Sequence, residues 1–96
     1  MIIIGGTIHF NPTDRQATLD AIQRMMAASQ AEEGCLVYTF STDLADPNTL
    51  HLYEVWTSAD ALDEHGKSAH MATFRSEVSP TFTQTEIKRY SAEELS

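Results

Sequence analysis

The chain has one cysteine, Cys35, among its 96 residues. One thiol cannot close an intrachain disulfide, so the fold needs no oxidising compartment. Between Gly34 and Leu36, at the head of an apolar run, Cys35 reads as a small buried hydrophobe. A nucleophile would need a base beside it, and none stands nearby in sequence. Basic residues are also scarce: six Lys and Arg against fourteen Asp and Glu, for a net charge of −8. The six are scattered from Arg15 to Arg89 and form no patch, which argues against a nucleic-acid partner. No run approaches the roughly 18 apolar residues that cross a bilayer. Met1 to Gly6 lacks a basic leader and is too short for a signal peptide, so the expectation is a cytoplasmic protein with no membrane partner. Gly5-Gly6 leads into strand-forming residues rather than a helix, so it is no phosphate loop. A flavin or nicotinamide fingerprint is absent too, and no cofactor is expected.

The length suits one domain, residues 1–96, with a polar tail over 91–96 expected to fray. A chain this short buries only about 60–65% of its unfolded surface, so a partner covering one more face would help it. Ile2 to Phe10 alternates as a strand ended by Asn11-Pro12. Thr13-Asp14-Arg15-Gln16 reads as a capping box with Thr13 as the cap. A helix should follow to about Ala31, its apolar stripe running through Leu19, Ile22, Met25 and Met26. Glu32-Glu33-Gly34 stops it, with Gly34 suited to a left-handed position. Cys35–Thr42 and Thr49–Thr57 form a hairpin across a turn rich in Asp, Pro and Asn. Parity puts Leu36, Tyr38 and Phe40 on one face of the first of these strands. On the second, Leu50, Leu52, Glu54 and Trp56 oppose His51, Tyr53 and Val55. Ser58 caps a second helical region that Gly66 interrupts. Ser68 caps its continuation to Val78, and Pro80 ends it. Thr81–Tyr90 is a fourth strand.

The order β-α-β-β-α-β defines an α+β, ferredoxin-like fold: a four-stranded antiparallel sheet with its helices on one face. Both faces of the first three strands carry apolar residues. The face without helices would leave a large apolar patch, so a homodimer packed sheet to sheet is expected. His9 and His51 fall on that face by parity and are expected at the interface.

Glu33-Gly34-Cys35-Leu36-Val37-Tyr38, then Tyr53-Glu54-Val55-Trp56-Thr57-Ser58, then Ala61-Leu62, His65 and Ser68-Ala69-His70 together resemble the antibiotic biosynthesis monooxygenase (ABM) family. The resemblance runs in order over almost the whole chain. It implies a dimeric α/β barrel and one of several chemistries: oxidation of quinols or phenolic polyketides by O₂ without a prosthetic group, haem degradation, or isomerisation of a small phosphorylated compound. Haem-degrading members are marked by an Asn on the first strand, a Trp on the second helical region and a His ten residues later. Here those places fall near Gly6, at His65 and at Arg75, so the resemblance is to the quinol-oxidising kind.

Such an oxygenase needs a base of near-neutral pKa, a donor for the developing oxyanion and a water-excluding apolar pocket. Imidazole is the natural base. His65 and His70 are therefore the first candidates to move protons, with Glu54 or Arg75 to orient. Trp56 and Phe74 would flank a small aromatic substrate, and Tyr38, Phe40 and Met25 would line the pocket. Each has a plainer reading as well. Trp56, Tyr38, Phe40 and Met25 serve equally as core, Glu54 as a paired brace, Arg75 as a surface ion pair, and the histidines as backbone-bonded helix residues. On an unbroken helix, five residues set His65 and His70 about 140° apart. That is unlike the i, i+4 pair of a helical zinc motif, so no metal is expected. The leading reading is a cofactor-free monooxygenase using O₂. The alternatives are an isomerase or cyclase on a small carbonyl compound, and a non-catalytic dimeric ligand-binding module.

Overall fold

The computed structural model describes all residues from Met1 to Ser96. The chain runs β1 (Ile2–Phe10), α1 (Arg15–Gln30), β2 (Cys35–Thr42), β3 (Thr49–Trp56), α2 (Ala59–Gly66), α3 (Ala69–Val78), β4 (Phe82–Ser91). The strands form one antiparallel sheet in the order β2-β3-β1-β4. This is the expected ferredoxin-like α+β fold. No helix is long and apolar enough to cross a membrane.

Two local expectations change. Asp14, not Thr13, caps α1: its Oδ1 accepts the Ala17 amide at 3.0 Å, while Gln16 turns forward to donate to Asp20. A carboxylate caps at least as well as a hydroxyl and also favours the positive end of the helix dipole. The strict alternation of β2 fails at its start. Cys35 pairs with Trp56 and Val37 with Val55, so Leu36 is the extra residue of a bulge. Leu36 is accordingly exposed, and Cys35 packs on the core instead.

The second helical region breaks after Gly66. The Ser68 hydroxyl donates to the His65 carbonyl at 2.7 Å, and its oxygen accepts the Met71 amide at 3.2 Å. One side chain thus closes α2 and opens α3. Gly34 has φ +96°, as its place after α1 suggested, and a Cβ on it would lie 2.6 Å from Ala61 Cβ. The glycine thereby lets the start of β2 approach α2 closely. At the other end of the chain, Ser91 belongs to β4, and the Ala92 amide donates to the Met1 carbonyl at 2.9 Å. The expected loose tail therefore starts only after Ala92.

The core lies between the helices and one sheet face. Ile4, Ile8 and Phe10 of β1, Tyr38 and Phe40 of β2, and Leu50, Leu52 and Trp56 of β3 meet Ile22 and Met25 of α1 and Phe74 and Val78 of α3. Burying each such side chain is worth about 1.5–3 kcal/mol. The opposite sheet face carries no helix. It presents Ile3, Val37, Tyr53, Val55 and Tyr90, with Tyr53 and Tyr90 about half exposed at 49% and 52%.

Candidate active site

The helices do not cover the whole sheet. A cavity of about 650 Å³ lies between β1, β3 and β4 below and α2 and α3 above. That volume is within the usual range for sites that enclose a small molecule. Its walls are mainly apolar, from Ile4, Ile8, Phe40, Leu52, Leu62, Phe74 and Phe82. A few polar side chains converge among them: Tyr38, Glu54, Asp63, His65, Arg75 and Arg89.

His65 stands in the last turn of α2, almost wholly buried. Its ring packs against Trp56 with centroids 4.7 Å apart and against Tyr38 at 5.3 Å. Nδ1 lies 2.6 Å from Glu32 Oε2. A carboxylate oxygen only accepts, so Nδ1 carries the hydrogen and Nε2 is left with its lone pair. Nε2 makes no hydrogen bond within the chain, and so it is the ring nitrogen available to a bound molecule. His70, in the first turn of α3, places Nε2 2.9 Å from the same Glu32 oxygen. Five residues on one helix would have faced apart. The break at Ser68 brings the two rings to a centroid distance of 5.8 Å.

Glu54 sits on the helix face of β3, buried, with the Trp56 indole N–H donating to its Oε1 at 2.8 Å. Burial pushes its carboxyl above the usual 4.5, against the indole hydrogen bond and the nearby positive charge of Arg89. Burial, with Glu54 nearby, also drives the Tyr38 phenol far above its ordinary value of 10.0. Tyr38 is therefore a donor throughout the working range, never a base.

Of the residues expected to form the site, His65, Glu54, Arg75, Phe74, Tyr38 and Phe40 all line this cavity. Three do not. Trp56 is completely buried behind His65, its N–H held by Glu54, so it braces the site from the core. Met25 is core as well, its sulfur accepting from the Ser29 hydroxyl. His70 faces a smaller hollow beside α1 and reaches the site through Glu32. Three charged residues, Glu32, Asp63 and Arg89, went unforeseen. Glu32 read as a helix stop, because nothing local announces a partner 33 residues away. Arg89 shares a face with Ile87 and Thr85, and parity on β4 would have placed it: its register partner Ile4 also pairs with Glu54.

A ferredoxin-like fold with an apolar cavity under its broken second helix is the architecture of the α/β-barrel class. Residues 1–77 match the family model described as antibiotic biosynthesis monooxygenase, and the chain belongs to that family. Among its relatives is a Bacillus subtilis protein, YcnE, provisionally named a monooxygenase; it is 30% identical over 74 residues, 77% of this chain and 78% of that one. A Mycobacterium tuberculosis protein, Rv0793, provisionally named likewise, is 34% identical over 73 residues, 76% of this chain and 71% of that one. An uncharacterised Synechocystis protein is 30% identical over 73 residues, and the match spans only 50% of its length. The structure of Rv0793 superposes with a TM-score of 0.85 over 98% of this chain and 96% of that one, at 24% identity. A conserved protein of Methanosarcina mazei superposes with a TM-score of 0.86 over 96% and 92% of the two chains, at 25% identity.

Proposed function

We propose that this chain is a monooxygenase that uses no prosthetic group and oxidises a quinol or polyphenolic compound with O₂. The observation that supports it is His65: a buried imidazole at an apolar cavity, oriented through Nδ1 by Glu32, with Nε2 unengaged. In this reading Nε2 takes the phenolic proton, and the electron-rich anion passes an electron to O₂ in a site shielded from water. For a hydroquinone the sum balances without an external reductant. One oxygen atom enters the ring, the other leaves as water, and the substrate supplies all four electrons as it becomes a hydroxyquinone. Arg75 and Arg89 on the cavity wall suit a developing oxyanion. Phe74, Phe40 and Tyr38 offer faces to a planar ring. Haem cleavage is the poorer fit, since Gly6 packs too tightly against β4 to be replaced by a side chain.

The protomer pairs with a second copy through the sheet face that carries Tyr53, Val55 and Tyr90. It works in the cytoplasm, where its one thiol stays reduced. Oxygen consumption on a panel of hydroquinones tests the activity, with mass analysis of the product after labelled O₂. Uptake above the rate of autoxidation, with one labelled atom in the product, is the expected result. No uptake on any member would overturn it. Glu54, its carboxyl pushed up toward the protonated form in the same cavity, favours a second reading. Acid and base together could isomerise a small carbonyl compound, and turnover without O₂ would select that reading.

A further inference from the structure

We infer that Glu32, His65 and His70 form a binding site for a divalent transition-metal ion of the zinc class. The ligand atoms are Glu32 Oε2, His65 Nδ1 and His70 Nε2, which all lie within 4.8 Å of one another. Two imidazole nitrogens and one carboxylate oxygen suit zinc, cobalt or ferrous iron rather than magnesium or calcium. Three protein ligands also leave coordination positions for water.

Two of the three ligand separations are close to those of a bound site, and the third, between the two nitrogens, is within 4.8 Å. The nitrogens are 2.6 and 2.9 Å from the shared oxygen. Metal–ligand distances of about 2.0–2.1 Å in a tetrahedron set ligand atoms about 3.3 Å apart. The two N···O separations would thus open by well under ~1 Å. Glu32 lies just past the end of α1 and its side chain is partly exposed, so it can give by that much. The ion would replace the hydrogens that now join the rings to the carboxylate.

A second feature points the same way. Glu32 also lines a neighbouring hollow of about 460 Å³, together with Glu33, Asp60 and Glu64. These carboxylates make an approach that concentrates cations, within a chain of net charge −8. The site lies behind His65 relative to the large cavity. An ion on Nδ1 would leave the hydrogen on Nε2, so His65 would face the cavity as a donor and no longer as a base. Metal occupancy and the proton-accepting state of His65 are then alternatives. The metal site itself is independent of what the cavity turns over.

The test is equilibrium dialysis and calorimetry of the full chain with Zn²⁺ and Co²⁺, in two buffers of different ionisation enthalpy. The expected result is one ion per chain, proton release on binding, and ligand-field bands of a nitrogen- and oxygen-ligated Co²⁺. Glu32→Gln and His70→Ala should each weaken binding by at least about 100-fold, more than loss of an outer-shell partner typically does. His70 is partly exposed, so His70→Ala keeps the test valid should Glu32→Gln fold poorly. An Asp60→Asn, Glu64→Gln double variant should weaken binding by no more than a few-fold. Nitrogen-resolved NMR of the Zn²⁺ form should show His65 protonated at Nε2 alone. No stoichiometric binding would overturn the inference. So would binding that survives His70→Ala unchanged but is lost in the double variant, because the ion would then sit among the surface carboxylates only. None of these readouts uses turnover, so failure here and failure of the proposed oxygenase activity are distinguishable.

Discussion

The indole N–H of Trp56 donates to Glu54, two residues earlier on the same face of β3, at 2.8 Å. The pair joins the core to the cavity, since Trp56 is fully buried while Glu54 lines the cavity wall. The carboxyl is pushed above the usual 4.5 by burial. A carboxyl whose folded value is raised stabilises the fold fully below its unfolded value. It loses that contribution as pH rises through the folded value. Glu54→Gln retains an acceptor for the indole and removes the charge. Its stability relative to the parent should therefore improve as pH climbs from about 4.5 toward neutrality. Glu54→Leu also strands a buried N–H, so it should lie about 1–3 kcal/mol below Glu54→Gln at every pH, less whatever its apolar surface returns. Urea unfolding of both variants from acid to neutral pH checks this. A Gln variant whose difference from the parent does not change with pH would show that Glu54 is not strained by burial.

The architecture was legible because its signals are local and periodic. Alternation in Ile2–Phe10 and Thr49–Trp56, the turn chemistry of 43–48 and the caps at Ser58 and Ser68 all appear as read. Parity also placed Tyr38, Phe40 and Glu54 on the face that lines the cavity. What escaped was either a one-residue exception or a long-range meeting. The bulge at Leu36 shifts Cys35 across the sheet, and no composition marks it. Glu32 meets His65 and His70 only because α1 ends beside the α2–α3 junction. Two histidines five apart read as divergent on a straight helix, and the Ser68 break makes them converge.

Gly6 governs how tightly β1 and β4 pair. A Cβ there would run into the Glu86 carbonyl and lie 2.8 Å from Ile87 Cα, all of it backbone that cannot swing away. Gly6→Ala should therefore push β4 off β1 and cost at least about 2 kcal/mol. For a domain of this size, that lowers Tm by roughly 10 °C. Gly5→Ala is the control, because a Cβ there has its nearest neighbour at an ordinary 3.9 Å. Thermal scans of the two should separate clearly. Equal losses would mean that the closeness at Gly6 relaxes freely.

The helix-free sheet face gives a separate prediction about assembly. Tyr53 lies beside Gly5, and Tyr90 pairs with Ile3, which also pairs with Val55. Tyr53 and Tyr90 stand half exposed on this face, beside the partly buried Ile3 and the buried Val55. A stable pairing buries about 1,200–2,000 Å² in total, which a face of this kind can supply. The parent should sediment as a dimer at micromolar concentration. Tyr53→Glu with Tyr90→Glu should shift it to monomer, because carboxylates would face each other across the two sheets. Both positions are half exposed in the protomer, so the double variant should keep its helical and strand content. A monomeric parent would refute the sheet-to-sheet arrangement directly.

Within the proposed oxygenase reading, His65 and Glu32 should fail in different ways. His65→Ala removes the base itself and should lower kcat by roughly 10²–10⁴-fold. It also leaves a gap beside Trp56 and Tyr38, so the fold must be checked by circular dichroism before the loss is attributed to chemistry. Glu32→Gln can still bond His65 through its amide oxygen but no longer balances the charge the ring gains on taking a proton. Its kcat should fall while KM for the hydroquinone stays unchanged, since Glu32 does not line the cavity. His70→Ala removes one of two donors from Glu32. It acts on the base only at second hand, and its loss should lie between about two- and tenfold, one hydrogen bond's worth. The ranking His65 over Glu32 over His70, read in kcat, is what a positioned single base requires. Equal losses for His65→Ala and His70→Ala would instead mean that both imidazoles carry the proton, and a rise in KM alone for Glu32→Gln would assign Glu32 to substrate binding.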